Sequence, residues 1–121
     1  MTPTPLQPLR SIEFEILVTL AEGERHGYAI IQEIEARADG QLRVETGTLY
    51  RAVRRLLADG LVKPTARRPA ADGASAHDDE RRRYYAITPA GRQAAAAEAA
   101  RLARLVAAAR AAKLLTKPAK A

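Results

Sequence analysis

TGTLYRAVRRLLADGLV, residues 46–62, is the stretch on which the reading of this chain turns. Leu49, Val53, Leu56 and Leu57 recur at the spacing of one helical face, and Gly60 supplies a helix stop. With that stripe turned inward, Thr48, Arg51 and Arg55 fall together on the opposite face, flanked by Tyr50 and Arg54. Thr46 precedes them at the helix start. A helix that served only a core would not need so polar and cationic a front.

The flanking sequence indicates which fold holds that helix. Upstream, Leu9, Ile12, Ile16, Leu17 and Leu20 make one helical stripe, closed by Gly23. Ile30, Ile31, Ile34 and Ala38 make a second, followed by Gly40. The QLRVE segment, residues 41–45, predicts a short strand. Downstream, LVKPT and RRRYYAIT are rich in strand formers, and the ARRPAADGASAHDDE between them is full of turn residues, which predicts a hairpin with a long tip. Alternation puts Arg83, Tyr85 and Ile87 on one face of the second strand, and Arg82, Tyr84 and Ala86 on the other. One tyrosine is therefore core and the other surface.

Thr88 reads as an N-cap and Pro89 as the first residue of a final, alanine-rich helix reaching Leu115. At about 1.5 Å per residue it would be roughly 40 Å long, more than so small a body can cover. Leu102, Leu105, Ala109 and Ala112, with Val106 beside them, form a short heptad-like seam suited to a second copy of the chain. The expected fold is mainly α with a small β-hairpin. It is a winged helix-turn-helix over residues 9–87, with the wing at about 61–87 and its loose tip at about 66–80. A dimerisation helix follows at 88–115, with a proline-stiffened arm at 1–8 and a frayed basic tail at 116–121.

In a helix-turn-helix the second helix of the pair enters the major groove with its N-terminal residues on base edges. Double-stranded DNA is thus the expected partner, with Thr46, Thr48, Tyr50, Arg51, Arg54 and Arg55 as candidate contacts. Arginine can bond two acceptors on a guanine edge, and threonine can bond polar edges or touch the thymine methyl. The helix N-terminus suits a phosphate, which Thr46 would cap beside or contact. Two alternatives stay open: Tyr50 can pack into the core, and Arg55 can pair with Asp59 four residues on. On the wing, Arg67, Arg68 and Arg82 would add phosphate contacts, opposed by Asp72, Asp78, Asp79 and Glu80 at the same tip. Charge is distributed to match. The net charge of +6 divides into −2 over residues 1–60 (seven Lys/Arg, nine Asp/Glu) and +8 over the rest (thirteen and five). A basic excess on one part of a small protein points to a polyanion.

The chain of 121 residues has no cysteine, which excludes a disulfide framework, a thiolate metal site and a cysteine nucleophile. His26 sits in a helix-entry turn, where capping or packing is its ordinary use. His77, Asp78 and Asp79 are adjacent residues and lack metal-ligand spacing. Glu13 and Glu15 fall on opposite sides of their helix, and there is no glycine-rich phosphate loop. No enzyme activity, metal or cofactor is expected. No apolar run reaches the roughly 20 residues of a membrane span, and MTPTPLQPLR lacks the pattern of a signal peptide, so a cytoplasmic protein is expected. A winged helix can also serve as a protein-interaction module. That use calls for an exposed apolar patch on the third helix, where Thr48, Arg51 and Arg55 stand instead. RNA would call for exposed aromatic platforms, which are scarce.

Three segments, LAEGERHGYAIIQEIE, GTLYRAVRRLLADGLV and ERRRYYAITPAGRQA, together resemble the PadR family of bacterial transcriptional regulators over about residues 9–115. The resemblance implies a dimeric winged helix on a palindromic operator, usually a repressor, joined through the final helix with help from the first. It places Leu102, Leu105, Val106 and Ala109, with Leu9, Ile12 and Ile16, in the dimerisation surface. It makes Tyr28 a phosphate contact and Thr48, Tyr50, Arg51 and Arg54 the groove-facing set. It further implies that a small-molecule effector can act by changing the spacing of the two DNA-binding heads. The chain departs from drug-binding members in having no tryptophan and one phenylalanine, Phe14 on the first helix. Its wing insert, PAADGASAHDD, is long and acidic.

Overall fold

The apolar stripes of the first three helices close on one another. The computed structural model describes residues 9–65 and 83–115. In these, the chain runs α1 (Ser11–Ala21), β1 (Arg25–His26), α2 (Gly27–Arg37), α3 (Thr46–Ala58), β2 (Val62–Pro64), β3 (Tyr84–Ile87) and α4 (Pro89–Ala111). The 1–8 arm, the 66–80 wing tip, Arg67, Arg68, Arg82 and the 116–121 tail lie outside the described residues. Ile16, Leu17 and Leu20 of α1 meet Ile30, Ile31 and Ile34 of α2 and Leu49, Ala52, Val53 and Leu56 of α3, and Val62 and Tyr85 close the cluster from the sheet. Each large side chain removed from water in this way stabilises the fold by about 1.5–3 kcal/mol.

The expected strand at residues 41–45 does not form, and a shorter one appears elsewhere. Val44 donates its N–H to the Glu35 carboxylate at 2.7 Å, so a side chain takes the bond a neighbouring strand would have taken. The third strand is β1, in a three-stranded antiparallel sheet of order β1-β3-β2. Arg25 lies opposite Tyr85 and His26 opposite Tyr84, while Val62, Lys63 and Pro64 lie opposite Ile87, Ala86 and Tyr85. The alternation on β3 holds. Tyr85 is buried, while Tyr84 is half-buried with its ring edge-on to His26 at 5.4 Å.

Local chemistry sets the helix ends. The Leu61 N–H reaches the Leu56 carbonyl at 2.9 Å and the Gly60 N–H reaches Leu57 at 3.1 Å, with Gly60 at φ +76°. This paired closure is the Schellman stop of α3. The same closure ends α4 at Ala111, short of the expected Leu115: the Lys113 and Leu114 N–H groups bond Arg110 and Ala109, and Lys113 sits at φ 66°. At α4's other end the Thr88 hydroxyl accepts the Gly91 N–H at 3.0 Å and donates to the Gly60 carbonyl at 2.7 Å. One side chain thus caps α4 and ties it to the end of α3. A Cβ at Gly91 would overlap the Leu61 carbonyl oxygen, so this approach requires glycine. Past Ala103, every described residue of the chain is exposed except half-buried Ala109.

Gly91→Ala should therefore destabilise the protein by about 1–3 kcal/mol, the usual cost of forcing volume into a packed contact. Urea denaturation measures this. A variant as stable as the parent would show that the α4–Leu61 approach is not tight.

Candidate nucleic-acid interface

The front of α3 is outward and its rear is held. Glu45 occupies the N-cap without a side-chain cap bond, and Thr46 is the first helical residue. Thr46 therefore does not cap α3, and the first-turn N–H groups are left without side-chain caps. Thr46, Gly47, Arg51 and Arg54 are exposed and Thr48 is half-buried. The Arg51 guanidinium donates to the Thr48 hydroxyl at 3.4 Å, a long contact that sets the two side by side.

Arg55 departs from the expected outward face. Its Nε donates to Glu13 Oε2 at 2.7 Å, a carboxylate on α1 forty-two residues earlier. Helical spacing alone suggested Asp59, but tertiary packing brings a buried carboxylate closer. Arg55 is turned toward the protein, not away from it.

Tyr50 lies half-buried against the core, and its hydroxyl covers Gly27, where any Cβ would overlap it. The glycine of the HGY segment thus lets the α3 front settle on the start of α2. His26 caps α2 by accepting the Ala29 N–H on Nδ1 at 3.1 Å. Beside it Tyr28 is 58% exposed, so both tyrosines stand at the meeting point of the two helix N-termini. Sequence reasoning missed three exposed cations on the same elements: Arg43 in the α2–α3 turn, and Lys63 and Arg83 at the base of the wing. Arg43 gave no periodic signal, and Arg83 was paired with buried Tyr85 by an alternation that stops at the strand end.

The expected dimerisation residues divide. Leu105 is 57% and Val106 42% exposed, with Leu102 and Ala109 half-buried beside them. Leu9 and Ile12 pack partly on the core. Ile16 is fully buried in the core cluster with residues of α2 and α3 and cannot face a second copy. Between α1 and α4 runs a groove of about 370 Å³, lined by Leu9, Phe14, Val18 and Leu102 with the Glu15–Arg37 and Glu98–Arg101 pairs. Glu98 is a buried carboxylate. The Arg101 guanidinium holds it below the usual carboxylate range, burial opposes this, and the Leu9 N–H adds to the lowering. No helix among the described residues is long and apolar enough to cross a membrane.

Comparison with known proteins gives a consistent picture. The family described as "Transcriptional regulator PadR-like family" matches residues 16–97. Transcriptional regulator Rv3488 of Mycobacterium tuberculosis (strain ATCC 25618 / H37Rv) is 37% identical over 84 residues, 69% of this chain and 68% of that protein. An uncharacterized 37.1 kDa protein in transposon TN4556 of Streptomyces fradiae is 39% identical over 90 residues, 74% of this chain but only 22% of that longer protein. Among solved structures, Bacillus subtilis PadR in complex with operator DNA superposes with a TM-score of 0.56 at 21% identity, over 71% of this chain and 45% of that one.

The Glu98 pair yields a pH prediction. Its folded pKa is depressed, so its contribution is present above the ordinary glutamate value of 4.5 and is lost as pH falls through the lower folded value. Urea denaturation from about pH 6 to about pH 3 should show the parent losing more stability than Glu98→Gln. Parallel curves would remove this charge from the account.

Proposed function

The chain belongs to the PadR-like family of transcriptional regulators, and from that premise we propose that it is a repressor that binds a palindromic operator as a homodimer. The observation that carries the reading is the front of α3, where Thr46, Thr48, Arg51 and Arg54 face outward from a helix whose rear is fixed. Arg51, aligned with Thr48, is assigned to a guanine edge. Thr46, Arg54, Tyr28 and the Tyr50 hydroxyl edge are assigned to phosphates, which set register without carrying sequence. Arg67, Arg68 and Arg82 are assigned to the same backbone from the wing, joined by Lys63 and Arg83. Arg55, paired with Glu13, is assigned to holding α3 in place.

Two copies pair through Leu102, Leu105, Val106 and Ala109 of α4, with Leu9 and Ile12 at the edge of the contact. The support is an apolar seam in water on the uncovered half of the helix. The two α3 helices then enter successive major grooves about 34 Å apart. Relief by a small-molecule effector belongs to the same reading. The α1–α4 groove lies within the roughly 300–1,000 Å³ of small-ligand sites. A regulator of this kind works where the chromosome is, in the cytoplasm.

The test is fluorescence anisotropy on DNA from upstream of the protein's own reading frame, against scrambled DNA, across a salt series. Preference for the upstream DNA that persists as salt rises supports operator readout. Equal decline on both DNAs would leave only charge, and a winged-helix protein-interaction module would replace the reading. Arg51→Ala should cost about 1–3 kcal/mol on the upstream DNA and less on the scrambled one. Equal loss would reassign Arg51 to a phosphate. Leu105→Glu should sediment as a monomer and lose upstream-DNA binding; a dimeric variant would overturn the seam.

A further inference from the structure

Two buried carboxylates meet at the entrance of α1, and neither is accounted for by the core. Glu98 on α4 and Glu13 on α1 are 6% and 8% exposed. Each accepts one backbone N–H and one arginine. Glu98 Oε1 accepts the Leu9 N–H at 3.3 Å, while Arg101 donates from Nε to that oxygen at 3.2 Å and from Nη2 to Oε2 at 2.5 Å. Glu13 Oε1 accepts the Arg10 N–H at 3.0 Å, and its Oε2 accepts Arg55 Nε at 2.7 Å. Leu9 and Arg10 are consecutive. One short piece of backbone is therefore gripped by a carboxylate of the long helix and by a carboxylate whose other oxygen holds α3.

Burying charges is expensive even when they are matched, so a buried ion pair adds little net stability over well-packed apolar residues. What ionic pairs add is direction. Charge-assisted bonds are short and angle-dependent, whereas apolar contacts slide. We propose that Glu98 and Glu13 are positioning residues that make the entrance of α1 a stiff link from α4 to the recognition helix α3. The proposal rests on the DNA-binding reading for its biological use. A displacement of α4 shifts Glu98, carries the Leu9 and Arg10 amides with it, and reaches Arg55 through Glu13. The front of α3 turns with Arg55, because that residue lies on the same rigid helix.

The test uses the full chain with Glu98→Gln, Glu13→Gln and the double variant. Glutamine keeps the size and the acceptor oxygen but weakens the arginine bond. Amide hydrogen exchange without DNA is read first. Glu98→Gln should raise exchange about tenfold at residues 9–13 and also at residues 49–52, the first hydrogen-bonded amides of α3, the scale of losing one charged hydrogen bond. Residues 30–34 and 84–87 should stay at parent rates. A rise confined to 9–13, or an equal rise everywhere, overturns the link. Arg101→Gln, at a partly exposed side chain, loosens the same contact without touching the buried carboxylate and must give the same pattern even if Glu98→Gln does not fold.

The ratio of affinities for upstream and scrambled DNA is read second, since loss of stability alone would not change it. Each single variant should lower that ratio, and the double should lower it no further than the larger single, because one broken link already uncouples the helices. Multiplying losses would mean independent effects and would overturn the proposal. A parent protein with no preference for upstream DNA would defeat the functional reading instead, and the exchange pattern alone would then decide the link.

Discussion

The burial of Ile16, Leu17 and Leu20 is the constraint from which the other contacts take their places. These side chains put α1 against α2, α3, α4 and β3 at once. The apolar term holds the helix in place. Of the ion pairs on its flanks, Glu15 with Arg37 is partly exposed on both sides and contributes at most about 1 kcal/mol, while Glu13 with Arg55 is buried on the carboxylate side. They set which way the helix is rolled. Thr19 adds to this, taking an Arg37 bond at 3.0 Å while its own hydroxyl returns to the Glu15 carbonyl. With α1 rolled this way, Ile16 is committed to the core and Ile12 is left at its margin.

The orientation of α3 depends on both of its ends being fixed. At the front, Tyr50 settles over Gly27. At the rear, the Gly60 and Leu61 carbonyls accept from Thr88, and Gly91 gives clearance for the latter. Between them, the apolar stripe faces the core. A helix held at both ends and along its back keeps its exposed side chains in fixed relation, which lowers the entropy that ordering them on any rigid partner would cost.

Most of this architecture was legible from periodicity and punctuation. The stripes of α1, α2 and α3, the stop at Gly60 and the Thr88–Pro89 start are local signals, each written within a few residues. The departures share the opposite character. β1 is a two-residue strand that pairs with a partner some sixty positions away, so no alternation could reveal it. Arg55 found Glu13 instead of Asp59 because its partner comes from another helix. Ile16 lay on the same stripe as Ile12, and the roll of α1 that separates them comes from tertiary contacts. Gly27 and Gly91 were visible as residues within HGY and TPAG, but what they make room for required the assembled fold. The exposure of Thr46, Arg51 and Arg54 at the front of α3 was readable, because outward residues are what remains when the inward stripe has been removed.

Pro64 has a consequence for how the protein keeps company with itself. In the register of β2 on β3, the Thr65 N–H donates to the Tyr84 carbonyl, so by alternation the position before it turns its nitrogen away from β3, toward the open side of an edge strand. Proline stands there and offers no donor. The opposite edge, β1, is two residues long. Neither border of the described sheet offers a full ladder to a passing strand. Copies brought close together have little opportunity to extend one another's sheets into aggregates.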